Sequence, residues 1–284
     1  MRTRAIGDVR VSVIGLGAMP MSVHGHMPDE AQSIQTIHAA LDAGITLIDT
    51  ADAYTPDHTD MGHNERLVAA ALSQWEGDRD SVLVATKGGH TRTPGGGWGV
   101  DGRPEYIKAA CERSLKTLGV EAIGLYQHHR PDPAVPYEDT IGALRDLLDA
   151  GKIRLAGISN ADPAQIKLAN EILGGRLAGV QNQFSPGFRS SEPELELCAE
   201  LGIAFLPWSP LGGIGQAGSL GGRHAAFAEI AVARGVSPYQ VCLAWELAKA
   251  PVVIPIPGAS RPETIVDSAR AADLGLGQEE LDAL

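Results

Sequence analysis

The stretch Ile45-Thr46-Leu47-Ile48-Asp49-Thr50-Ala51-Asp52-Ala53-Tyr54 decides how the rest of the chain is read. Four residues with strand preference run into Asp49, and a turn then presents Tyr54 five positions later. An acid at the carboxyl end of a buried strand, with a phenol on the loop after it, is where a parallel barrel places its chemistry. Taken alone, the same pair also suits a helix N-cap and a rim tyrosine. Lys87 and His129 end the next two strand-like segments in the same way, and that recurrence points to a shared face.

Outward from this stretch the pattern alternates. Ala5-Ile6 and Val9-Arg10-Val11 flank the turn Gly7-Asp8, which predicts an N-terminal β-hairpin closing the barrel floor. Ser12 to Gly17 reads as the first barrel strand. Helical faces at Ile34, Ile37, His38 and Leu41, then at Leu67, Val68, Ala71, Leu72 and Trp75, then at Ile107, Ala110, Cys111, Ser114 and Leu118 separate strands through Ile48, Val82 to Ala85, and Ile123 to Tyr126. Helix then strand recurs at Pro136 to Ala150, Ile153 to Ile158, Pro163 to Leu173, Leu177 to Gln181, Glu192 to Leu201, and Ile203 to Pro207. The pattern ends with helices within Arg223 to Ala233 and Pro238 to Lys249, the strand Val252 to Ile256, and a helix from Arg261. Near-continuous apolar strands alternating with helices predict an α/β fold, a closed parallel (β/α)8 TIM barrel forming one domain over residues 1–284. The loop Gly88 to Arg103, with its run Gly95-Gly-Gly-Trp-Gly, reads as the most mobile piece.

The bulk numbers restrict partners. A chain of 284 residues, 44% hydrophobic, can bury a barrel-sized core, and a net charge of −12 argues against nucleic acid or an anionic membrane surface. Cys111, Cys198 and Cys242 lie far apart on helical patterns and read as buried hydrophobes, as suits a reducing cytoplasm. No apolar run has signal-peptide or membrane-span length, so a cytoplasmic protein is expected. His24 and His26 lack a carboxylate or cysteine at ligand spacing, and no metal is expected.

Asp49, Tyr54, Lys87 and His129 converge on one face under the barrel reading. A buried lysine beside an aspartate is held charged, and its ammonium is expected to pull the phenol below its usual pKa of about 10. A phenol so placed can give a proton to a developing alkoxide, with the imidazole orienting the carbonyl.

These segments resemble the aldo-keto reductase superfamily over nearly the whole chain. The resemblance rests on Gly44 to Tyr54, Leu83-Val-Ala-Thr-Lys87, Leu125-Tyr-Gln-His-His-Arg-Pro-Asp132, Gly157-Ile-Ser-Asn160, Val180-Gln-Asn182 and Pro207-Trp-Ser-Pro-Leu-Gly-Gly213. It implies Tyr54 as proton donor, Lys87 and Asp49 as its tuning pair, and a substrate-orienting histidine. The family spacing, three after the tyrosine and just before Arg-Pro-Asp, selects His129 over His128; period-two alternation says only that one of the two faces inward.

No Gly-x-Gly-x-x-Gly follows a strand with an acid downstream, so a Rossmann site is not supported. Instead Ser260-Arg-Pro-Glu263 reads as a capping box opening the last helix, just after the turn Ile256-Pro-Gly-Ala259. Free N–H groups and the positive helix end would make an anion site there. The resemblance places the adenosine phosphate on this segment, with Ile256, Gly258, Ser260, Arg261, Thr264, Asp267 and Ser268. It places pyrophosphate on Ser209, Pro210, Leu211 and Gly212, the carboxamide on Ser159, Asn160 and Gln181, nicotinamide on Trp208, and Gly17 and Met19 at the close-approach turn after the first strand. The family's lysine in the phosphate segment is replaced by Gly258, while Thr264 and Ser268 stand where many members carry arginine and asparagine. Arg261 is then the expected contact to a 2′-phosphate, giving NADPH preference with NADH possible. The short Gly213 to Ala225 segment is similar to that of bacterial pyridoxal reductases.

The expected function is NADPH-dependent reduction of a small-molecule aldehyde or ketone, with Met19, Trp98 and Phe188 as candidate pocket residues. The alternatives are a cofactor-binding sensor or regulatory subunit on the same fold, as in potassium-channel beta subunits, and a metal-dependent barrel hydrolase, which would require a ligand cluster. Neither a monomer nor a homo-oligomer is favoured by the sequence.

Overall fold

The computed structural model describes residues 1–23 and 27–284. The histidine pair His24 and His26 lies outside the described residues. Strands β1 (Thr3–Ile6) and β2 (Val9–Ser12) form the expected antiparallel hairpin, with Ile6 opposite Val9 across the Gly7-Asp8 turn. Gly7 has φ +57, a left-handed value that glycine adopts without strain.

The barrel strands are β3 (Leu16–Gly17), β4 (Leu47–Asp49), β5 (Leu83–Gly88), β8 (Ile123–His128), β9 (Ile153–Ser159), β10 (Leu177–Gln181) and β11 (Ala204–Phe205), hydrogen-bonded in that order as neighbours and all parallel. Between β5 and β8 a separate antiparallel hairpin, β6 (His90–Arg92) and β7 (Trp98–Val100), pairs Thr91 with Gly99. The segment Gly88 to Arg103, read from sequence as a loop, therefore carries a short β-hairpin. Gly95 and Gly96, at φ +87 and +84, turn the chain so that the flanking residues meet in register.

The eighth stave is main chain without ladder regularity. Ile254 N–H donates to Phe205 O at 2.8 Å and Ile256 N–H to Pro207 O at 3.2 Å, while Gly15 and Gly17 N–H donate to the carbonyls of Pro255 and Pro257, both at 2.9 Å. These contacts close the ring. Pro255 and Pro257 have no N–H to return toward the first strand, which is why this stave forms only isolated bridges. The fold is thus the expected (β/α)8 barrel.

Helices α1 (Glu30–Asp42), α2 (His63–Gln74), α3 (Pro104–Leu118), α4 (Tyr137–Asp149), α5 (Pro163–Ile172), α6 (Glu192–Leu201), α7 (Leu220–Arg223), α8 (Ala225–Arg234), α9 (Pro238–Lys249), α10 (Pro262–Arg270) and α11 (Gln278–Asp282) follow in chain order. Apolar side chains fill the barrel interior at Leu47, Leu83, Leu125, Leu155, Leu206, Ile254 and Ile256, and Ile6 and Val11 of the hairpin belong to the same cluster. The hairpin therefore closes the floor, so polar chemistry is confined to the opposite, carboxyl end. Arg4 fastens it there by donating to the carbonyls of Leu247, Ala250 and Val253. All three cysteines are unpaired and buried. Among the described residues no helix is long and apolar enough to cross a membrane.

Candidate active site

Asp49 ends β4 and Lys87 lies one residue from the end of β5, so neighbouring parallel strands deliver the two side chains to the same rim. Lys87 Nζ donates to Asp49 Oδ2 at 2.7 Å, to Thr50 O at 2.9 Å and to the Tyr54 hydroxyl at 3.2 Å, which uses all three ammonium donors. Both members of the ion pair are buried, at 0% and 4% side-chain exposure. On its other oxygen Asp49 accepts Gln181 Nε2 at 2.8 Å and Gln127 Nε2 at 3.4 Å.

Burial acts on Lys87, Tyr54 and His129 alike. It alone would lower the Lys87 pKa, but the charge of Asp49 and the Tyr54 oxygen outweigh it and hold the ammonium above its usual value. Burial also raises the Tyr54 phenol above its usual value of about 10; Lys87 opposes that rise without reversing it. The expectation that Lys87 pulls Tyr54 below its ordinary value is therefore corrected, because desolvation of a phenolate costs more than one shared ammonium returns. Tyr54 is a protonated phenol at neutral pH.

His129 follows β8 and sets its ring edge-on to Tyr54, with centroids 5.6 Å apart. Burial first, then the charge of Lys87, holds this imidazole well below its usual pKa, so it is neutral. Its neighbour His128 is also buried and pushed down to about 4, mainly by burial, but packs toward Tyr137. Thus His129, not His128, faces the phenol.

Two contributors were not singled out from sequence. Gln127 stands as a buried polar residue in an otherwise apolar strand, and that alternation break was the available signal. His90 lies on the unanticipated hairpin and stacks on His129 at 4.2 Å; no local signal marks it. Trp98 lies 5.2 Å from His90 and is exposed, at the rim. Phe188 sits across the tight turn from Ser185, also exposed.

Ser159, Asn160 and Gln181, expected at the cofactor, lie around His129 at the same end of the barrel. Ser159 Oγ donates to Gln181 O at 2.7 Å, and Asn160 Nδ2 donates to His129 O and to Ser159 Oγ, both at 3.0 Å. Among the described residues the two non-glycine positive φ values are at Asn160 (+58) and Ser209 (+53), and strain of this kind gathers at ligand clamps. Trp208 is half-buried, with its indole N–H buried and unpartnered. Ser209, Pro210, Leu211 and Gly212 form the turn after β11, closed by Gly212 N–H to Ser209 O at 2.9 Å. At Gly17 a Cβ would stand 2.8 Å from Ile256 O, and at Gly258 it would stand 2.9 Å from the Pro20 ring, so a neighbouring main chain crowds the first glycine and a proline ring the second. Met19 opens the short helical turn leading away from Gly17.

The last helix departs from expectation. Its N-cap is Arg261, extended at φ −141 and ψ 142 and without a side-chain cap, so the predicted Ser260–Glu263 capping box is not formed. Pro262 at the first helical position forces its predecessor out of the helical region and thereby moves the start past Ser260. Ser260 instead accepts Gln32 Nε2 on its carbonyl at 2.7 Å, and Thr264 Oγ1 donates to Arg261 O. Arg261 is exposed and pairs with Glu263 at 3.4 Å. Asp267 accepts Ser237 Oγ and Gln240 Nε2, each at 2.5 Å, so its carboxylate joins α10 to α9 and is not brought to the phosphate segment. Ser268 is buried on α10. Among the described residues no group of three or more His, Cys, Asp or Glu side chains could hold a metal ion.

A buried acid, ammonium, phenol and imidazole thus meet at the carboxyl rim of a parallel barrel, the end where barrel enzymes place their chemistry, beside strained main-chain turns. Residues 13–284 match the model of the Aldo/keto reductase family, and the chain belongs to that family. An uncharacterized oxidoreductase of Schizosaccharomyces pombe is 33% identical over 280 residues, covering 98% of this chain and 87% of the relative. The glycerol dehydrogenase of Gluconobacter oxydans superposes with a TM-score of 0.84 at 28% identity, covering 99% of this chain and 93% of that one. An aldo/keto reductase from Klebsiella pneumoniae, solved with NADP and acetate, gives 0.82 at 28% identity with coverage of 99% and 93%. The protein is accordingly an NAD(P)H-dependent enzyme of the aldo-keto reductase class.

Proposed function

We propose that this protein reduces an aldehyde or ketone to the alcohol with NADPH, Tyr54 delivering the proton. The observation that carries the reading is the Tyr54 hydroxyl 3.2 Å from Lys87 Nζ, itself 2.7 Å from Asp49. The surrounding residues fit a nicotinamide nucleotide. Trp208 offers a face and an unpartnered N–H, Ser159, Asn160 and Gln181 cluster where an amide would sit, and Gly17 and Gly258 keep the main chain close. The Ser209 to Gly212 turn would hold pyrophosphate. Ile256, Gly258, Ser260, Arg261, Thr264 and Ser268 would line the adenosine end, where Arg261 would meet the 2′-phosphate.

When bound, the cofactor supplies the hydride that reaches the carbonyl carbon. Tyr54 supplies the proton to the carbonyl oxygen, which carries growing negative charge as the C=O bond is reduced. The neutral His129 is a weaker acid than a phenol, so it serves as hydrogen-bonding partner to the oxygen and leaves proton delivery to Tyr54. After transfer the tyrosyl oxygen is anionic, and the ammonium of Lys87 stabilises it while Asp49 keeps that ammonium charged and aimed.

The test is carbonyl-dependent oxidation of NADPH compared with NADH, over a panel of aldehydes and ketones including pyridoxal, with Tyr54→Phe as control. Turnover lost in the variant supports the reading. NADPH binding with no turnover across the panel would favour the sensor function, and no binding of either nucleotide would sink both.

A further inference from the structure

Arg92 and Arg130 stand at the mouth of this site in an arrangement that the reduction step does not use. Arg130 directly follows His129 and is exposed. Its Nε donates to His90 Nε2 at 3.2 Å, and the His90 ring stacks on His129 at 4.2 Å. Arg92 lies on the same hairpin with its guanidinium 4.1 Å over Trp98, which leans on His90 at 5.2 Å. Contacts thus run from both guanidiniums to the His129 imidazole, from Arg130 by a hydrogen bond to His90 and from Arg92 by way of the Trp98 ring.

Both cations stand beside the imidazole without a counterion, in a chain with 35 acidic and 23 basic side chains. Other cations of the chain are matched, as Arg66 with Asp60, Arg103 with Asp101, Lys108 with Asp146, Arg176 with Asp149, Arg234 with Glu280 and Lys249 with Glu192. Among the described residues no carboxylate lies within ion-pair distance of Arg92 or Arg130, and Arg92 Nε is buried without a hydrogen-bond partner. The acids nearby are committed: Asp132 accepts Gly102 N–H and Ala134 N–H, both at 2.9 Å, and Asp101 holds Arg103. Burial first, then the charge of Arg130, lowers His90 to about 4, so the positive charge at the mouth is the two guanidiniums' own.

We propose that Arg92 and Arg130 form an anion subsite at the barrel mouth, and that the carbonyl substrate carries a carboxylate or phosphate held there while its carbonyl reaches Tyr54 and His129. A guanidinium fork matches either anion in two parallel hydrogen bonds. This inference rests on the reductase reading.

The experiment measures kcat/KM with NADPH for 4-carboxybenzaldehyde, 4-formylphenyl phosphate and the neutral 4-carbamoylbenzaldehyde, in the wild type, Arg130→Gln, Arg92→Gln and Arg130→Lys. The amide withdraws electrons more strongly than the carboxylate, so intrinsic reactivity opposes the expected order. Expected is a preference of at least about ten-fold for one or both anions, from charge-assisted pairing. The preference should fall toward one in either Gln variant and persist in part in Arg130→Lys; which anion gains identifies the group recognised. Equal turnover of all three aldehydes by the wild type, or a preference untouched by both Gln variants, overturns the subsite while leaving the reductase reading intact. No turnover of any aldehyde removes the reading and the subsite together.

Discussion

Gln181 Nε2 lies 2.8 Å from Asp49 Oδ1 across the barrel interior, although 132 residues separate them in the chain. With Lys87 on Oδ2, the carboxylate is held from two sides in a region without water access. Asp49→Asn leaves the Lys87 ammonium buried with no counter-charge. The expected loss is about 3–5 kcal/mol of unfolding free energy, the range for breaking one side of a buried pair. Urea denaturation of the two proteins measures it, and a difference under about 1 kcal/mol would mean that the pair is dispensable.

The phenol gives a prediction about pH and rate. Because burial keeps Tyr54 protonated beyond its ordinary range, and Lys87 is likewise held charged, neither group titrates near neutrality. Reduction rates are expected to hold level from pH 7 toward about 10 instead of falling near neutrality. A descending limb centred near pH 7 to 8 in kcat/KM, absent from a cofactor-stability control, would refute the protonated-phenol assignment.

The histidines give one about pH and stability. His90 and His128 are each lowered from the ordinary 6.5 to about 4, chiefly by burial, and His129 is held well below its ordinary value by burial and then by Lys87. In the unfolded chain they take up protons below pH 6.5 while the folded protein does not. Their contribution is therefore complete above pH 6.5 and is lost as pH falls toward 4, with a slope of up to about 1.4 kcal/mol per pH unit for each fully buried ring. Replacing His128 by Gln should flatten that slope in denaturant titrations between pH 6.5 and 4. An unchanged slope would show that His128 titrates alike in both states.

Main-chain proximity at the seam predicts a fourth effect. In Gly17→Ala the new Cβ would press on Ile256 O from 2.8 Å, and the obstacle is main chain, not the end of a flexible side chain. A destabilisation of about 1–3 kcal/mol is expected, with weaker NADPH binding because the same turn borders the cofactor segment. Wild-type melting temperature and nucleotide affinity together would contradict it.

The adenosine end predicts a fifth. Arg261→Ala should raise the NADPH dissociation constant about ten- to hundred-fold, as loss of a charged hydrogen bond implies, and leave NADH nearly as before. Equal effects on both nucleotides in fluorescence titrations would remove the 2′-phosphate assignment.

Sequence made the barrel legible because its strands are buried on both faces and so read as apolar runs, with Asp49, Lys87 and His129 marking where those runs stop. Partners that meet across the barrel were not readable, since nothing near Gln181 or Gln127 in the chain announces Asp49, and nothing near His90 announces His129. The capping box failed for a local reason: the Ser-x-x-Glu spacing was present, but Pro262 dictates where the helix begins. The direction of the Tyr54 shift failed for a global one. Depth of burial is a property of the finished fold, and it outweighs a charge whose position was correctly anticipated.

Pro255 and Pro257 have a mechanical consequence. Across this joint Gly15 and Gly17 donate to the carbonyls of Pro255 and Pro257, and neither proline has an N–H to return, so the hoop has one thinly stitched joint. That joint is where the chain's first and last staves meet, directly beneath Gly258 and the start of the last helix. A nucleotide gripping this segment would act as the missing thread, coupling occupancy of the site to the tightness of the whole cylinder.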